Sequence, residues 1–130
     1  MLSWPSRRPL DQNQQQVVWG NMSLYSEYLL ERTNDHIIEA DQGFVTYRYL
    51  NEKQVYIIDI YVKPEFRRKR CGSALADKVV EEAKTKSCTE LIGTIIPGLK
   101  GSDASLKALQ AYGMALHSAN NNIIILKKDI

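Results

Sequence analysis

The chain has 130 residues, of which 44% are hydrophobic and 25% are charged. These values are ordinary for a globular protein, so disorder along the whole chain and a collagenous or low-complexity chain are excluded. The length fits one domain with a single core and is too short for two. Seventeen Lys and Arg residues against fifteen Asp and Glu residues give a net charge of +2, which argues against a general nucleic-acid-binding protein.

The cysteine and histidine content argues against a cross-linked or metal-stabilised fold. Cys71 and Cys88 are too few for a disulfide framework, and His36 and His117 lie far from both in sequence. We therefore expect reduced thiols, no metal site and a cytoplasmic protein. Residues 1–10 lack the apolar core of a signal peptide, and no apolar run approaches the roughly 18 residues of a membrane span.

The first half of the chain is predicted to form an arm, a helix and three strands. An irregular arm is expected over residues 1–11, and helical spacing of apolar residues predicts a helix over residues 12–32, which Gly20 can split. Strands are predicted over residues 36–40, 43–50 and 55–63, with Gly43 supplying an unusual φ in the first turn.

The second half alternates helices and strands. Helices are predicted over residues 71–86 and 102–112, and strands over residues 90–96, 114–118 and 123–128. Ser102 is the expected N-cap of the second helix, and Gly113 suits the position after its end. The order of elements predicts an α/β fold, in the α+β sense of a mixed sheet with helices on its faces.

One segment of the chain has the features of an anion-binding site. The strand that ends at Pro64 is followed by a basic turn, Arg67–Arg70, and then by a helix that begins with small residues, Gly72–Ala74. Free N–H groups and the dipole of a helix N-terminus attract anions, and nearby cations add to that field. The segment is therefore a candidate cradle for a pyrophosphate. A solvated basic loop and a nucleic-acid phosphate contact are the alternative interpretations.

The order of residues around this turn narrows the choice between these three interpretations of the segment. The chain reads Val62-Lys-Pro64, then Phe66-Arg67, then a loop that ends in Gly72 and a helix that contains Ala74-Leu75. In this order they resemble the GNAT superfamily of acyl-CoA N-acyltransferases, and the resemblance extends over residues 36–130. It implies a GNAT-like, splayed, mainly antiparallel mixed β-sheet with helices on both faces, and a single domain over residues 1–130.

The resemblance also implies where acetyl-CoA or coenzyme A binds, with no metal involved. The pantetheine arm is expected along Ile60, Tyr61 and Val62. The pyrophosphate loop and helix start are expected at Arg67, Arg68, Lys69, Arg70, Cys71, Gly72, Ser73 and Ala74. The chain departs from the family pattern at Arg70, which stands where the family has a glycine. Its guanidinium either reaches the phosphates or weakens binding of the cofactor.

Two further departures from the family pattern concern the residues expected to act as general acid and general base. Leu109 stands where many family members carry the tyrosine that protonates the leaving thiolate, and Tyr112, three residues later, is better explained as a packing residue. Tyr56 occupies the family's frequent position for the base, where it can order a water. Asp59, the acid inside an apolar strand, is the other candidate catalytic residue. A solvent-facing or cross-strand-paired Asp59 is an equally good interpretation.

The function expected from this resemblance is that of an N-acetyltransferase. It would move an acetyl group from acetyl-CoA to a primary amine by direct transfer, with a protein amine slightly favoured over a small molecule. The alternative is a catalytically weak or inactive GNAT scaffold that acts as a binding or structural protein. Neither membrane nor nucleic acid is expected as a partner, and the sequence leaves a homodimer open.

Overall fold

The structure is a computed structural model that describes residues 23–130, and the chain divides into two compact units, residues 1–34 and 35–130. In the first unit, helix α1 (Leu24–Thr33) begins after Ser23, whose hydroxyl accepts a hydrogen bond from the Ser26 N–H. It ends at Asn34, which has left-handed backbone angles. The arm predicted over residues 1–11 and the first part, residues 12–22, of the helix predicted over residues 12–32 lie outside the described residues.

The second unit contains six strands and two α-helices. In chain order they are β1 (His36–Ala40), β2 (Gly43–Tyr49), β3 (Gln54–Val62), α2 (Cys71–Thr85), β4 (Glu90–Ile95), α3 (Ser102–Ala111), β5 (Ala115–Asn120) and β6 (Ile123–Asp129). A 3₁₀ turn (Pro64–Phe66) separates β3 from α2. No helix within residues 23–130 is both long enough and apolar enough to cross a membrane.

The strands form one sheet in the order β1-β2-β3-β4-β6-β5. All neighbouring strands are antiparallel except β3 and β4, which are parallel and joined through α2. The predicted α/β mixed sheet is therefore confirmed. That helices cover both faces stays a prediction, because it depends on α1 of the first unit.

The hydrophobic core lies between the sheet and α2. The helix presents a stripe of small and aliphatic side chains at helical spacing. This stripe is Leu75, Ala76, Val79 and Ala83, all of them buried. It packs against the buried side chains of the central strands, namely Val45, Tyr47, Val55, Ile57, Leu91 and Leu126. We call the side of the sheet covered in this way the helix face.

Two local predictions are corrected by the structure. Gly43 does not supply an unusual φ, because the positive-φ glycines within residues 23–130 lie elsewhere. It is needed for close approach, since a Cβ at Gly43 would lie 1.9 Å from the Tyr61 carbonyl oxygen. Ser102 is not an N-cap but the first residue of α3, and Gly101, with a φ of 83°, is the cap.

An aromatic cluster lies where β1 meets β2. The ring of His36 stacks on Tyr47 with 5.2 Å between centroids and meets Tyr49 edge-on at 5.4 Å. Burial lowers the pKa of His36, and the nearby Lys86 ammonium lowers it further. The folded protein therefore favours the neutral imidazole, because protonation would place a cation in a partly apolar site.

We expect this histidine to make stability depend on pH. Because its pKa in the folded protein is below the unfolded value of about 6.5, the stabilisation is present above pH 6.5 and is lost as the pH falls below it. His36→Phe keeps the ring and removes the titration, so its free energy of unfolding should fall less between pH 7 and 5 than that of the wild type. Denaturant unfolding across this range measures the slope. His117→Gln, on the exposed surface of β5, is the control, and equal slopes for wild type and His36→Phe would contradict the expectation.

Candidate functional site

The sheet contains a slot where β3 and β4 cease to pair. Their ladder begins at Gln54–Glu90 and ends at Ile57–Gly93. Beyond that point β3 continues through five further residues and β4 through two. The space between the two strands, the N-terminal end of α2 and one side of α3 is about 640 Å³. The end of the ladder thus creates a cavity whose walls are strand edges, a helix end and the side of a second helix.

A β-bulge sits beside the end of the ladder. Thr46 of β2 pairs with Asp59 and Tyr47 pairs with Ile57, so Ile58 is an extra residue in β3. The extra residue shifts the alternation of side chains, which brings Ile60 and Val62 back to the helix face. There they meet the start of α2: a Cβ at Gly72 would lie 3.9 Å from Val62 Cγ2 and 4.0 Å from Ile60 Cγ2.

The backbone of β3 turns polar groups towards the slot. The N–H of Lys63 donates to the carbonyl of Gln42 on the β2 side, at 2.7 Å. Since successive residues of a strand point their amide groups to opposite sides, those of Val62 and Ile60 point towards β4. The β4 ladder does not reach them. The Val62 carbonyl accepts from Arg67 Nε at 2.9 Å instead, which ties the basic turn to the end of β3.

The N-terminus of α2 opens at the outer end of the slot. Its N-cap, Arg70, is in the left-handed region with a φ of 62° and makes no side-chain cap. Arg68 is also left-handed, with a φ of 63°. Among residues 23–130, no carboxylate lies within ion-pair distance of Arg68, Lys69 or Arg70. The uncapped N–H groups and unpaired cations form an electropositive end to the slot.

Most of the residues predicted for the cofactor line this slot. They are Ile60, Tyr61, Val62, Arg67, Arg68, Arg70, Cys71, Gly72 and Ser73. Lys69 and Ala74 belong to the same turn and helix but are not part of the lining. The residues predicted from the sequence therefore come from a strand, a turn and a helix, and the fold places most of them around one cavity.

The two candidate catalytic residues differ in position. Asp59 lines the slot and is exposed, so its carboxylate is not buried within the strand, and its role as a base stays a prediction. Tyr56 lies outside the lining, and its hydroxyl is 2.8 Å from Thr94 Oγ1 on β4. Asp59 therefore borders the slot directly, whereas Tyr56 is connected to it through Thr94.

Tyr112 joins the two helices that bound the slot. Its hydroxyl donates to Asp77 Oδ1 of α2 at 2.6 Å. Burial, and then this hydrogen bond to a carboxylate, raise the pKa of Tyr112 well above its usual range. A phenol that holds its proton so firmly is a poor acid for a leaving thiolate, whose conjugate acid has a pKa near 8.5. The packing role expected for Tyr112 agrees with this geometry.

Comparison with known proteins settles the family. The sequence matches the family described as the acetyltransferase (GNAT) family over residues 5–112. The chain belongs to the GNAT family. It is 35% identical over 71 residues to the thialysine N-epsilon-acetyltransferase of Bos taurus, a match that covers 55% of this chain and 42% of the bovine protein. The chain thus spans less than half the length of this curated relative.

Solved structures of GNAT proteins share the fold. The PaiA N-acetyltransferase from Thermoplasma acidophilum, solved with coenzyme A, superposes with a TM-score of 0.66 and 18% identity, over 82% of this chain and 69% of that one. A GNAT acetyltransferase from Elizabethkingia anophelis with acetyl-CoA bound gives a TM-score of 0.63 and 17% identity, over 82% and 85% of the two chains. The splayed mixed sheet is therefore a GNAT sheet.

Several lining residues were not expected from the sequence. Gly93 and Thr94 on β4, Met114 after α3 and Ser105 within α3 all face the slot. Leu109 also lines the slot. From the sequence it is expected only as the residue that replaces the family's tyrosine. Gly93, Thr94 and Ser105 lie in no motif, and their spacing matches that of ordinary core residues. Only the docking of α3 beside the end of the β3–β4 ladder reveals them.

The hydrogen bond between Tyr112 and Asp77 should stabilise the fold. Because its surroundings are partly exposed, we expect Tyr112→Phe to lower the free energy of unfolding by about 1 kcal/mol. Asp77→Ala, which removes the acceptor, should cost a similar amount, and the double variant should cost less than the sum of the two. Urea unfolding of the four proteins measures this coupling. Tyr25→Phe, at an exposed position on α1, is the control, and strict additivity of the two changes would contradict the expectation.

Proposed function

We propose that the protein is an N-acetyltransferase that moves an acetyl group from acetyl-CoA to a primary amine by direct transfer. The slot between β3 and β4 carries the proposal, because it combines an anion-binding end with an unpaired strand edge. Membership of the GNAT family and the bound coenzyme A of its structural neighbours support the same reaction. Direct transfer needs no nucleophilic side chain, so neither cysteine has a covalent role.

The residues fit the proposed donor by chemistry and by shape. The uncapped N-terminus of α2 and the cations of the basic turn would hold the pyrophosphate. Gly72 lies at the start of α2 beside Ile60 and Val62, so the proposed phosphate and pantetheine positions adjoin each other. The amide groups of Ile60 and Val62 that point towards β4 would pair with the amides of the pantetheine arm. When bound, acetyl-CoA supplies the activated acyl group.

Chain groups beside the bulge would assist the transfer. A backbone N–H near Ile60, beside the bulge, would polarise the thioester carbonyl as negative charge develops on its oxygen. The Asp59 carboxylate would take the proton that the amine loses as the new C–N bond forms and the C–S bond breaks, either directly or through a water. No acid for the thiolate is proposed, because Leu109 replaces the family's tyrosine. Thiolate is a good leaving group, so the enzyme should be slow rather than inactive.

We propose an acceptor with a primary amine on a flexible aliphatic arm. The bovine relative acts, by its name, on the ε-amine of thialysine, and a lysine side chain in a protein presents a similar group. The protein amine slightly favoured by the sequence remains part of this proposal. Acetyl-CoA and reduced thiols also fit a cytoplasmic location, and both cysteines are free in the structure.

The second candidate is a GNAT scaffold that binds without catalysis. Arg70 at the glycine position and Leu109 at the tyrosine position favour it. Left-handed Arg70 and Arg68 each carry a backbone cost of about 1–2 kcal/mol. A strained loop is retained only when its surroundings or its function require it. An acidic partner at this loop would satisfy that need as well as a pyrophosphate would.

Binding and turnover separate the two candidates. Acetyl-CoA should bind the wild type in calorimetry at low salt, and thiol release should depend on added amine, tested with thialysine, lysine and a lysine peptide. Asp59→Asn should lower turnover about hundredfold or more with little change in acetyl-CoA affinity. Asp103→Asn, outside the slot lining on α3, is the control. Binding without transfer to any amine would favour the scaffold, and the absence of binding would overturn the donor site.

Arg70 is tested by two substitutions with coenzyme A as ligand. Arg70→Gly should raise the melting temperature, because glycine adopts a positive φ without strain. It should also weaken coenzyme A binding roughly tenfold or more, because a charge-assisted contact contributes about 1.5–3 kcal/mol. Arg70→Ala removes the charge and keeps the strain, so it should lose affinity without gaining stability. Tighter binding by the glycine variant would show that the side chain obstructs the site.

A further inference from the structure

We propose that Leu109 and Met114 form the floor of the slot and restrict the donor to a two-carbon acyl group. This inference rests on the proposed acyltransferase function and adds a limit on chain length to it. The wild type should use acetyl-CoA and reject butyryl-CoA. The restriction arises from packing at the point where the β3–β4 ladder ends.

The floor is closed on the helix face by two side chains that meet at Gly93. A Cβ at Gly93 would lie 3.2 Å from Leu109 Cδ1 and 3.3 Å from Met114 Cε. Met114 is 3% exposed, and all three residues line the slot. Because Gly93 pairs with Ile57 at the last rung of the ladder, Leu109 and Met114 fill the space at the level of that rung.

The floor is also closed on the opposite face of the sheet. There Tyr56 reaches from β3 to β4, and its hydroxyl is hydrogen-bonded to Thr94 at 2.8 Å. Tyr56 precedes the last rung by one residue, and Thr94 follows it by one. The slot therefore ends at a layer closed by aliphatic packing on one side and by a hydrogen bond on the other. A chain entering from the outer end cannot pass between the strands.

The length of the slot matches the pantetheine arm and leaves little beyond it. Val62, beside the α2 N-terminus, and Ile57, at the last rung, pair with Gly43 and Tyr47 of β2, so the stretch of β3 between them, bulge included, spans four rungs, about 14 Å. The arm contains about twelve bonds between the phosphate oxygen and the sulfur, as many as roughly four residues of extended backbone, or about 13 Å. The sulfur would reach the bulge beside the last rung. Little strand length therefore remains for the acyl chain.

A floor of this kind discriminates between acyl groups because a longer acyl chain would overpack the apolar pocket. Each methylene too many in a well-packed apolar pocket typically changes kcat/KM by about 10–200-fold. Propionyl-CoA has one methylene more than acetyl-CoA and butyryl-CoA has two. Leu109→Ala removes one of the two side chains that meet at Gly93 and opens space in the direction of the acyl chain. It should admit the longer acyl groups without altering the phosphate or amide contacts at the other end.

The experiment compares acetyl-, propionyl- and butyryl-CoA in binding and in turnover with one amine. In wild type, affinity by calorimetry and kcat/KM by thiol release should both fall by about tenfold or more for each added methylene. Leu109→Ala should raise the butyryl-to-acetyl ratio at least about tenfold in both measurements. Leu109→Val, a milder change that keeps most of the packing, should raise it by less.

Leu106→Ala is the matched control, because Leu106 lies on the same helix and packs on the core but does not line the slot. It should leave the butyryl-to-acetyl ratio unchanged. Equal use of acetyl and butyryl groups by the wild type, or equal changes in Leu106→Ala and Leu109→Ala, would overturn the floor while leaving the acetyltransferase intact. Failure of the wild type to bind or use acetyl-CoA would instead overturn the proposed function, and the floor with it.

Discussion

The short parallel ladder between β3 and β4 is the constraint on which the rest of this structure depends. It ends at Ile57–Gly93, although β3 runs five residues further. A parallel pair that stops early leaves amide groups of one strand without partners inside the sheet, a costly arrangement unless water or a ligand satisfies them. The unsatisfied edge, the volume beside it and the helix N-terminus at its mouth all follow from this single termination.

The structure stabilises the open ladder with contacts on either side. Antiparallel pairing with β2 holds the free part of β3, and Gly43 allows that approach because a Cβ there would collide with the Tyr61 carbonyl. On the helix face, the hydrogen bond from Tyr112 to Asp77 links α3 to α2. These contacts keep the two walls apart and in register. A preformed slot binds more tightly because less ordering is required on binding.

The basic turn shows how such a site tolerates unfavourable residues. Arg68 and Arg70 adopt angles that glycine would adopt without strain. In return, the turn places cations at the uncapped end of α2 with no carboxylate of residues 23–130 to neutralise them. Affinity for an anion and stability of the loop therefore oppose each other at the same two residues. Leu109 is a similar case, because it gives up a proton donor and supplies apolar packing at the floor.

Local sequence determined the strands, the helices and the electropositive turn. The β-branched run of β3, its stop at Pro64 and the small residues after Arg70 are consecutive, and their consequences follow from propensity and helix-end chemistry. Only the tertiary structure decided where the ladder stops, that Asp59 is exposed, and that Leu109, Met114 and Gly93 meet. These features depend on how α3 docks beside β4 and on one extra residue at Ile58. Contacts between residues distant in the chain leave no periodic signal in the sequence.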